Sequence, residues 1–176
     1  MTFLSPLRFP LSVVSLLAPP STYADLSHVT AEGVRQALAL ARNLFPYVVV
    51  DLDHTFRDEQ VQALRLTDTI LLVFRLDFAS LRNANRTMEH LDRLGIRKDS
   101  VRLVVNRYGQ AQEVPVAKAE EALGMKIFHF VPEDAKTVNR AINNGVPVVL
   151  DYPTAKVSKS LSKLAFSVNG KNSQHG

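Results

Sequence analysis

The sequence contains no cysteine, which excludes disulfide bridges, thiolate metal ligands and a thiol nucleophile. No apolar run approaches the roughly 18–20 residues that a membrane-spanning helix needs, so an internal transmembrane helix is excluded as well. The five histidines show no HExxH or other metal-ligand spacing. No serine stands in a GxSxG turn. These absences argue against thiol chemistry, a histidine metal centre and acyl-transfer hydrolysis.

Glycine is scarce, and this bears on phosphate binding. A P-loop needs GxxxxGK[ST], because backbone amides and the lysine wrap the phosphates. Only Gly170 of the seven glycines precedes a lysine, with Ala165 five residues earlier and Asn172 where Ser or Thr is required. The chain also lacks GxGxxG. It therefore carries no phosphate cradle of a known kind, and autonomous nucleotide hydrolysis is not expected.

What is present resembles an ordinary globular chain. The length of 176 residues suits roughly one domain at about 150 residues each. The 21 Lys and Arg exceed the 17 Asp and Glu by four, and most of this surplus lies in the last third of the chain. A solvated final helix accounts for it, so nucleic acid is not an expected partner.

Short apolar runs rich in β-branched residues alternate with segments of helical periodicity. This alternation predicts an α/β fold of three layers, with a mostly parallel sheet covered by helices on both faces. The predicted strands are Leu11–Leu17, Tyr47–Leu52, Thr69–Phe74, Val101–Val105 and Ile127–Val131.

Helix signals occur between these runs. One helix is predicted after the N-cap Thr30, and another begins at Ser80 and stops at Gly95. The remaining predicted helices are Val116–Leu123, Ala135–Asn143 and a last one after Pro153-Thr154.

The first apolar run has two interpretations. Leu11–Ala18 follows Arg8, and with Ala24 as a cleavage site it resembles a weak secretory signal. Pro19-Pro20 ends the run where an apolar helix should continue, which favours a short buried strand.

Ligands of open parallel sheets bind where strands end, so the residues after each strand are the candidates. Asp51 and Asp53 follow the second run and suit a water-bound Mg²⁺, or simply mark the return to solvent. Asn106 and Arg107 follow the fourth, where an amide can match an adenine edge or form a turn. After the fifth, Pro132, Glu133 and Asp134 form a purine-facing loop or the first turn of a helix.

With these residues in place, the chain resembles the second half of the MinD/ParA-type P-loop ATPases, and within them the CpaE/TadZ branch of tight-adherence (Flp, type IVb) pilus assembly. The resemblance runs from about Leu11 to Ala165 in the family's order. Its stretches include TAEGVRQALALARNLFPYVVVDLDHTF, DTILLVFRLDFASLRNANRTMEHLDRLGI, VRLVVNRYGQ and KAEEALGMKIFHFVPEDAKTVNRAINNGVPVV.

The resemblance implies ATP and Mg²⁺ as cofactors. It implies that Asp51 acts on Mg²⁺ through water, with Asp53 a second candidate. It gives Asn106 and Arg107 a place beside adenine, with Pro132, Glu133 and Asp134 bordering the base. Ser80, Leu81 and Arg82 would open a helix near a partner. The implied partners are a second copy or a full-length paralogue, a pilus secretion ATPase and inner-membrane pilus proteins.

The resemblance covers only part of the family's fold. The P-loop strand, its helix and the next strand have no counterpart here, so a partial SIMIBI-type fold without the P-loop strand is expected. A shifted start, a degenerate copy or a piece cut from a longer protein would each explain this. The expected organisation is an unmatched segment 1–10, a partial domain 11–168 and a disordered tail 169–176. The expected location is cytoplasmic, with peripheral association at the inner membrane as an option.

Three functions follow from these expectations. The first is an assembly or localisation factor for pili that works by nucleotide-linked dimerisation once its site is completed. The second is a non-catalytic interaction module. The third is a fragment of a ParA-like partition ATPase.

Overall fold

The computed structural model describes residues 5–9, 12–17 and 29–169. They fall into two compact units, Met1–Leu66 and Thr67–Gly176, here called the first and second unit. Each is described by itself. The predicted cleavage site at Ala24 and most of the predicted tail, 170–176, lie outside the described residues.

The first unit contains a hairpin and two helices. Strands β1 (Ser5–Phe9) and β2 (Ser12–Leu16) pair antiparallel. Helix α1 spans Ala31–Leu44, and α2 spans Asp58–Leu66. The predicted N-cap of α1 is confirmed, since Thr30 Oγ1 accepts a hydrogen bond from the Gly33 amide at 3.1 Å.

Two predictions fail in this unit. The first apolar run forms β2, but β2 pairs in an antiparallel hairpin, and Leu16 is 49 % exposed rather than buried. The predicted strand Tyr47–Leu52 is not a strand, and Val49 is 94 % exposed. A high strand propensity does not by itself produce a β-strand, because the backbone also needs a neighbouring strand to pair with. This segment has no hydrogen-bonded partner strand among the described residues.

The second unit contains the parallel sheet. Its strands are hydrogen-bonded in the order β3-β4-β5, and both neighbouring pairs are parallel. The elements of this unit in chain order are β3 (Ile70–Phe74), α3 (Phe78–Arg93), a 3₁₀ turn (Lys98–Ser100), β4 (Val101–Tyr108), α4 (Val116–Leu123), β5 (Ile127–Pro132), α5 (Ala135–Asn144), α6 (Val148–Asp151) and α7 (Lys156–Val168).

Helices cover both faces of this sheet, as predicted. On one face, Leu103 and Val105 of β4 pack with Leu81 of α3 and Leu123 of α4. On the other, Val104 and Val131 pack with Val157 of α7. Alternating residues of β4 thus serve opposite layers, which explains why its sequence reads as one continuous apolar run.

Helix boundaries in this unit follow local chemistry. Gly124 and Gly145 end α4 and α5 in the left-handed conformation, at φ 59° and 66°. The predicted start of α3 at Ser80 is wrong. Asp77 is the N-cap, because its carboxylate accepts from the Ser80 amide at 2.8 Å and so places Ser80 inside the first turn. The short helices α2 and α6 were not predicted.

A histidine links β5 to α7. His129 Nε2 lies 2.9 Å from Ser160 Oγ, whose hydroxyl donates to the Phe130 carbonyl at 2.9 Å. Because the hydroxyl has one proton, this pairing favours the tautomer in which Nε2 is the donor. Burial, and then the nearby Lys163, hold the pKa of His129 below its ordinary value.

This lowered pKa predicts acid sensitivity. The unfolded chain takes up a proton on His129 below about pH 6.5, while the folded chain resists it. Stability should therefore be complete above that pH and fall as the pH drops towards the folded-state pKa. Thermal melts above and below pH 6.5 should show a smaller drop in Tm on acidification for His129→Gln than for the unaltered protein. His54→Gln, at an exposed site in the first unit, should behave like the unaltered protein. An equal drop in Tm on acidification in all three proteins would contradict the assignment of this pH dependence to His129.

Candidate functional site

The structure brings the predicted base-facing residues together at the carboxyl ends of β4 and β5. Arg107 Nε donates to Glu133 Oε2 at 2.7 Å, and the Glu133 amide donates to the Tyr108 carbonyl at 2.8 Å. Two adjacent strand ends are thereby tied to each other. At an exposed site such an ion pair contributes little stability, so its main effect is to fix the position of both side chains.

A bulge shapes this corner. Asn106 and Arg107 lie within β4 rather than after it, since the strand continues to Tyr108. The register with β5 shifts between Val105 and Tyr108, and Arg107 adopts the left-handed region at φ 58°. Asn106 Oδ1 accepts from the Arg107 amide at 2.9 Å, which supports the turn. The Asn106 side chain is exposed, and its Nδ2 donates to no other described residue.

The three residues from Pro132 to Asp134 have different structural roles. Pro132 is the last residue of β5. Glu133 faces Arg107, whose hydrogen bond holds the pKa of that carboxyl below its usual value. Asp134 is the N-cap of α5, accepting from the Thr137 amide at 3.1 Å. The helix-start interpretation therefore accounts for Asp134 and in part for Glu133, whose carboxylate accepts from the Ala135 amide at 3.0 Å as well as from Arg107 of β4.

Tyr108 is the residue at this edge to which the sequence assigned no role. Its ring lies 4.7 Å from that of Phe130, centroid to centroid, and it is 41 % exposed. It is an exposed aromatic ring on the same strand end as Asn106, and aromatic faces stack on nucleobases. The signal that could have found it is its place two residues after Asn106 at a strand end.

Asp51 and Asp53 belong to the first unit, and their side chains differ in the number of hydrogen bonds that they accept. Asp51 is exposed and has no hydrogen bond or ion pair to another described residue. Asp53 Oδ1 accepts from Thr55 Oγ1 at 2.6 Å, from Gln60 Nε2 at 2.5 Å and from the Thr55 amide at 2.9 Å. These bonds, the Thr55 hydroxyl first, lower the pKa of Asp53 to about 2.

Asp53 therefore has a structural task. Gln60 is buried in α2, and a buried amide needs hydrogen-bond partners. Asp53 Oδ1 accepts from Gln60 Nε2, and Thr55 Oγ1 lies 3.3 Å from Gln60 Oε1, so the loop is anchored to the helix. The sequence analysis did not single out Gln60. The spacing of Asp53 and Thr55 is typical of a side-chain turn and could have indicated that Asp53 is engaged locally.

The fit to Mg²⁺ and ATP is partial. Asp51 is a free carboxylate of the kind that holds a magnesium-bound water. No group of three or more His, Asp or Glu side chains in the described ranges is arranged to hold a metal ion. Asn106 and Tyr108 suit a base, whereas the sequence offers the phosphates no cradle. No catalytic step follows from these residues.

The predicted partner-facing residues at the start of α3 are also not equivalent. Ser80 is bonded to Asp77 through its amide and its hydroxyl. Leu81 is buried in the core, so its side chain is not available to a partner. Arg82 is exposed, and Phe78 on the same turn is 79 % exposed.

Comparisons with known proteins give a structural match only. No protein-family model and no curated protein matches the chain. A ParA family ATPase from Chlorobium tepidum superimposes with a TM-score of 0.82 at 20 % identity, over 86 % of this chain and 63 % of that one. The septum site-determining protein MinD from Pyrococcus horikoshii, complexed with Mg-ADP, gives 0.75 at 16 %, over 89 % and 63 %.

A third match is a MinC:MinD cell division protein complex from Aquifex aeolicus, with a TM-score of 0.69 at 22 % identity, over 85 % of this chain and 63 % of that one. The chain therefore spans a little under two thirds of the length of these proteins. It has the α/β fold of the ParA and MinD ATPases, with a parallel sheet flanked by helices.

Proposed function

We propose that the protein is a CpaE/TadZ-like assembly or localisation factor for tight-adherence pili. Two things support this proposal: the ParA/MinD-like fold, and the sequence stretches that resemble the CpaE/TadZ branch in its own order. The role is to associate with pilus components in a manner set by bound nucleotide. Self-association or pairing with a full-length paralogue is part of it.

The observation that supports a role for bound nucleotide is the cluster of side chains at the carboxyl ends of β4 and β5. Asn106 offers an unused amide donor, and Arg107 and Glu133 hold the two strand ends in one geometry. Such a corner would hold the adenine base. In the first unit, taken by itself, the exposed carboxylate of Asp51 is the group proposed to act on Mg²⁺ through water. ATP and Mg²⁺ would be captured only when a further polypeptide segment supplies the phosphate contacts, because this sequence lacks them.

The proposed location is the cytoplasm, peripheral to the inner membrane, where pilus secretion ATPases and inner-membrane pilus proteins are the proposed partners. No described helix is long and apolar enough to cross a membrane.

A second candidate is a non-catalytic interaction module. The observation in its favour is that each unit leaves large apolar side chains exposed, such as Val49 in the first unit and Val73 and Phe78 in the second. A fragment of a ParA-like partition ATPase is the weaker alternative, because the charges of the middle third balance.

Disrupting the gene in its own host tests the proposal. We expect loss of surface pili and of adherence, restored by the unaltered gene and by Asn143→Ala, an exposed asparagine away from the strand ends. If nucleotide sets the association, Asn106→Ala should restore pili poorly, because it removes the amide that faces the base. Full restoration by Asn106→Ala would favour the interaction module. A disruptant with normal pili would contradict both.

A further inference from the structure

The helices on the two faces of the parallel sheet differ in charge. Helices α3 and α4, on one face, carry four lysines or arginines and four carboxylates. Helices α5, α6 and α7, on the other face, carry five lysines or arginines and one carboxylate, that of Asp151. This surplus equals the net charge of +4 of the whole sequence. One helical layer of the second unit therefore holds the excess positive charge of the chain.

The cations of this layer are not used in ion pairs. Elsewhere in the second unit, five cations form salt bridges: Arg75, Arg93, Arg97, Arg107 and Lys126. Within the layer all five are exposed, and none forms a salt bridge or a side-chain hydrogen bond to a described residue: Lys136, Arg140, Lys156, Lys159 and Lys163. The carboxylate of Asp151 accepts from Asn144 Nδ2 at 3.0 Å instead. The described residues of this unit therefore leave the charge of the layer without a counter-charge.

Three of these cations form one stripe along α7. Lys156, Lys159 and Lys163 are spaced three and four residues apart, and Phe166 follows after three more. At about 3.6 residues per turn, these four side chains fall within an arc of roughly 100°. The apolar side chains on the other side of the helix pack on the sheet, namely Val157, Leu161 and Leu164. The stripe is therefore directed away from the sheet, and its Phe166 is 67 % exposed.

This pattern defines the chemistry of a partner. Side chains of a second helix recur at the same spacing of three and four residues, so carboxylates on it can meet all three lysines, and an apolar side chain one turn further can cover Phe166. A lipid surface fits less well, because a helix bound to a membrane surface inserts its apolar face, and that face of α7 is already packed on the sheet. The phosphate backbone of a DNA duplex has no apolar group to cover Phe166.

We propose that the outward stripe of α7, made of Lys156, Lys159, Lys163 and Phe166, is a docking surface for an acidic amphipathic helix of another protein. The stripe offers one aromatic contact bordered by charges, as protein interfaces commonly do. The cations of α5 in the same layer add to the attraction of an acidic partner before contact. The stripe shares no residue with the cluster at the ends of β4 and β5, and the proposal does not rest on a role in pilus assembly.

Synthetic helical peptides test the chemistry of the partner. The first peptide carries three glutamates at the spacing of the lysines, with a leucine one turn before and one turn after them, so that it can dock in either direction. The second has the same composition, with these side chains distributed around the helix. Fluorescence anisotropy at low salt should show at least about tenfold tighter binding of the first peptide to the purified protein. Equal affinities, or no measurable binding of either peptide, would overturn the proposal, as would tighter binding to a random-sequence DNA duplex or to phosphatidylglycerol vesicles than to the first peptide.

Charge reversal tests the location of the surface. Lys159→Glu should weaken binding of the first peptide by at least about tenfold, and changing the central glutamate of the peptide to lysine should restore binding to this variant. Lys118→Glu makes the same change at an exposed lysine of α4, on the other face of the sheet, and should bind like the unaltered protein. The circular dichroism of both variants should stay unchanged, because both side chains are exposed. Unchanged binding by Lys159→Glu, equal weakening in both variants, or no recovery with the altered peptide would overturn the assignment to α7.

Discussion

Leu103→Ala should lower the free energy of unfolding of the second unit by about 2–5 kcal/mol. Leu103 lies on the central strand β4, is fully buried and packs in the cluster that joins the sheet to α3 and α4. Alanine removes apolar surface from the core and leaves a cavity that the surrounding strands cannot fill. Urea titration followed by circular dichroism measures the loss as a lower midpoint with an unchanged slope.

Leu150→Ala is the matched control for this substitution. Leu150 belongs to the same unit but is 40 % exposed at α6, so its truncation should cost no more than about 0.5 kcal/mol. If both variants lost the same stability, β4 would not be the centre of the core described above.

Val157→Asp should detach α7 from the sheet. Val157 is 3 % exposed and packs against Val104 and Val131. A carboxylate at that position has no partner, and its burial should cost about 3 kcal/mol or more. Limited trypsin digestion should then cleave at Lys159 and Lys163 much faster than in the unaltered protein.

The control for the detachment of α7 is Phe166→Asp, which places the same charge on an exposed turn of that helix. It should leave the digestion pattern unchanged. Rapid cleavage in this variant would mean that charge alone, rather than lost packing, releases the helix.

The second unit was largely predictable because its signals are local. The glycine at 124 and the periodicity before it define α4, and the β-branched runs define β3, β4 and β5. The N-cap of α3 was misplaced at Ser80 because both Asp77 and Ser80 have capping side chains. Only the hydrogen bond between them shows which one caps.

The first unit was harder to predict because strand formation depends on a neighbour. Tyr47–Leu52 has every local property of a strand, but hydrogen-bonded partners are not encoded in the segment itself. The candidate site shows the same limit. Asp53 looks like a metal ligand beside Asp51, and only the placement of Gln60 in space reveals that its carboxylate is already engaged.

The bulge in β4 also changes how side chains should be counted along that strand. From Val105 to Tyr108 the chain takes three steps, while the partner strand takes two, from Phe130 to Pro132. In a regular strand, residues three apart point to opposite sides of the sheet. The extra residue cancels one alternation, so Tyr108 meets Phe130 on the side of the sheet where Val105 packs. Any comparison of this segment with another protein must therefore allow for that residue, since alignment by simple alternation would assign Tyr108 to the wrong layer.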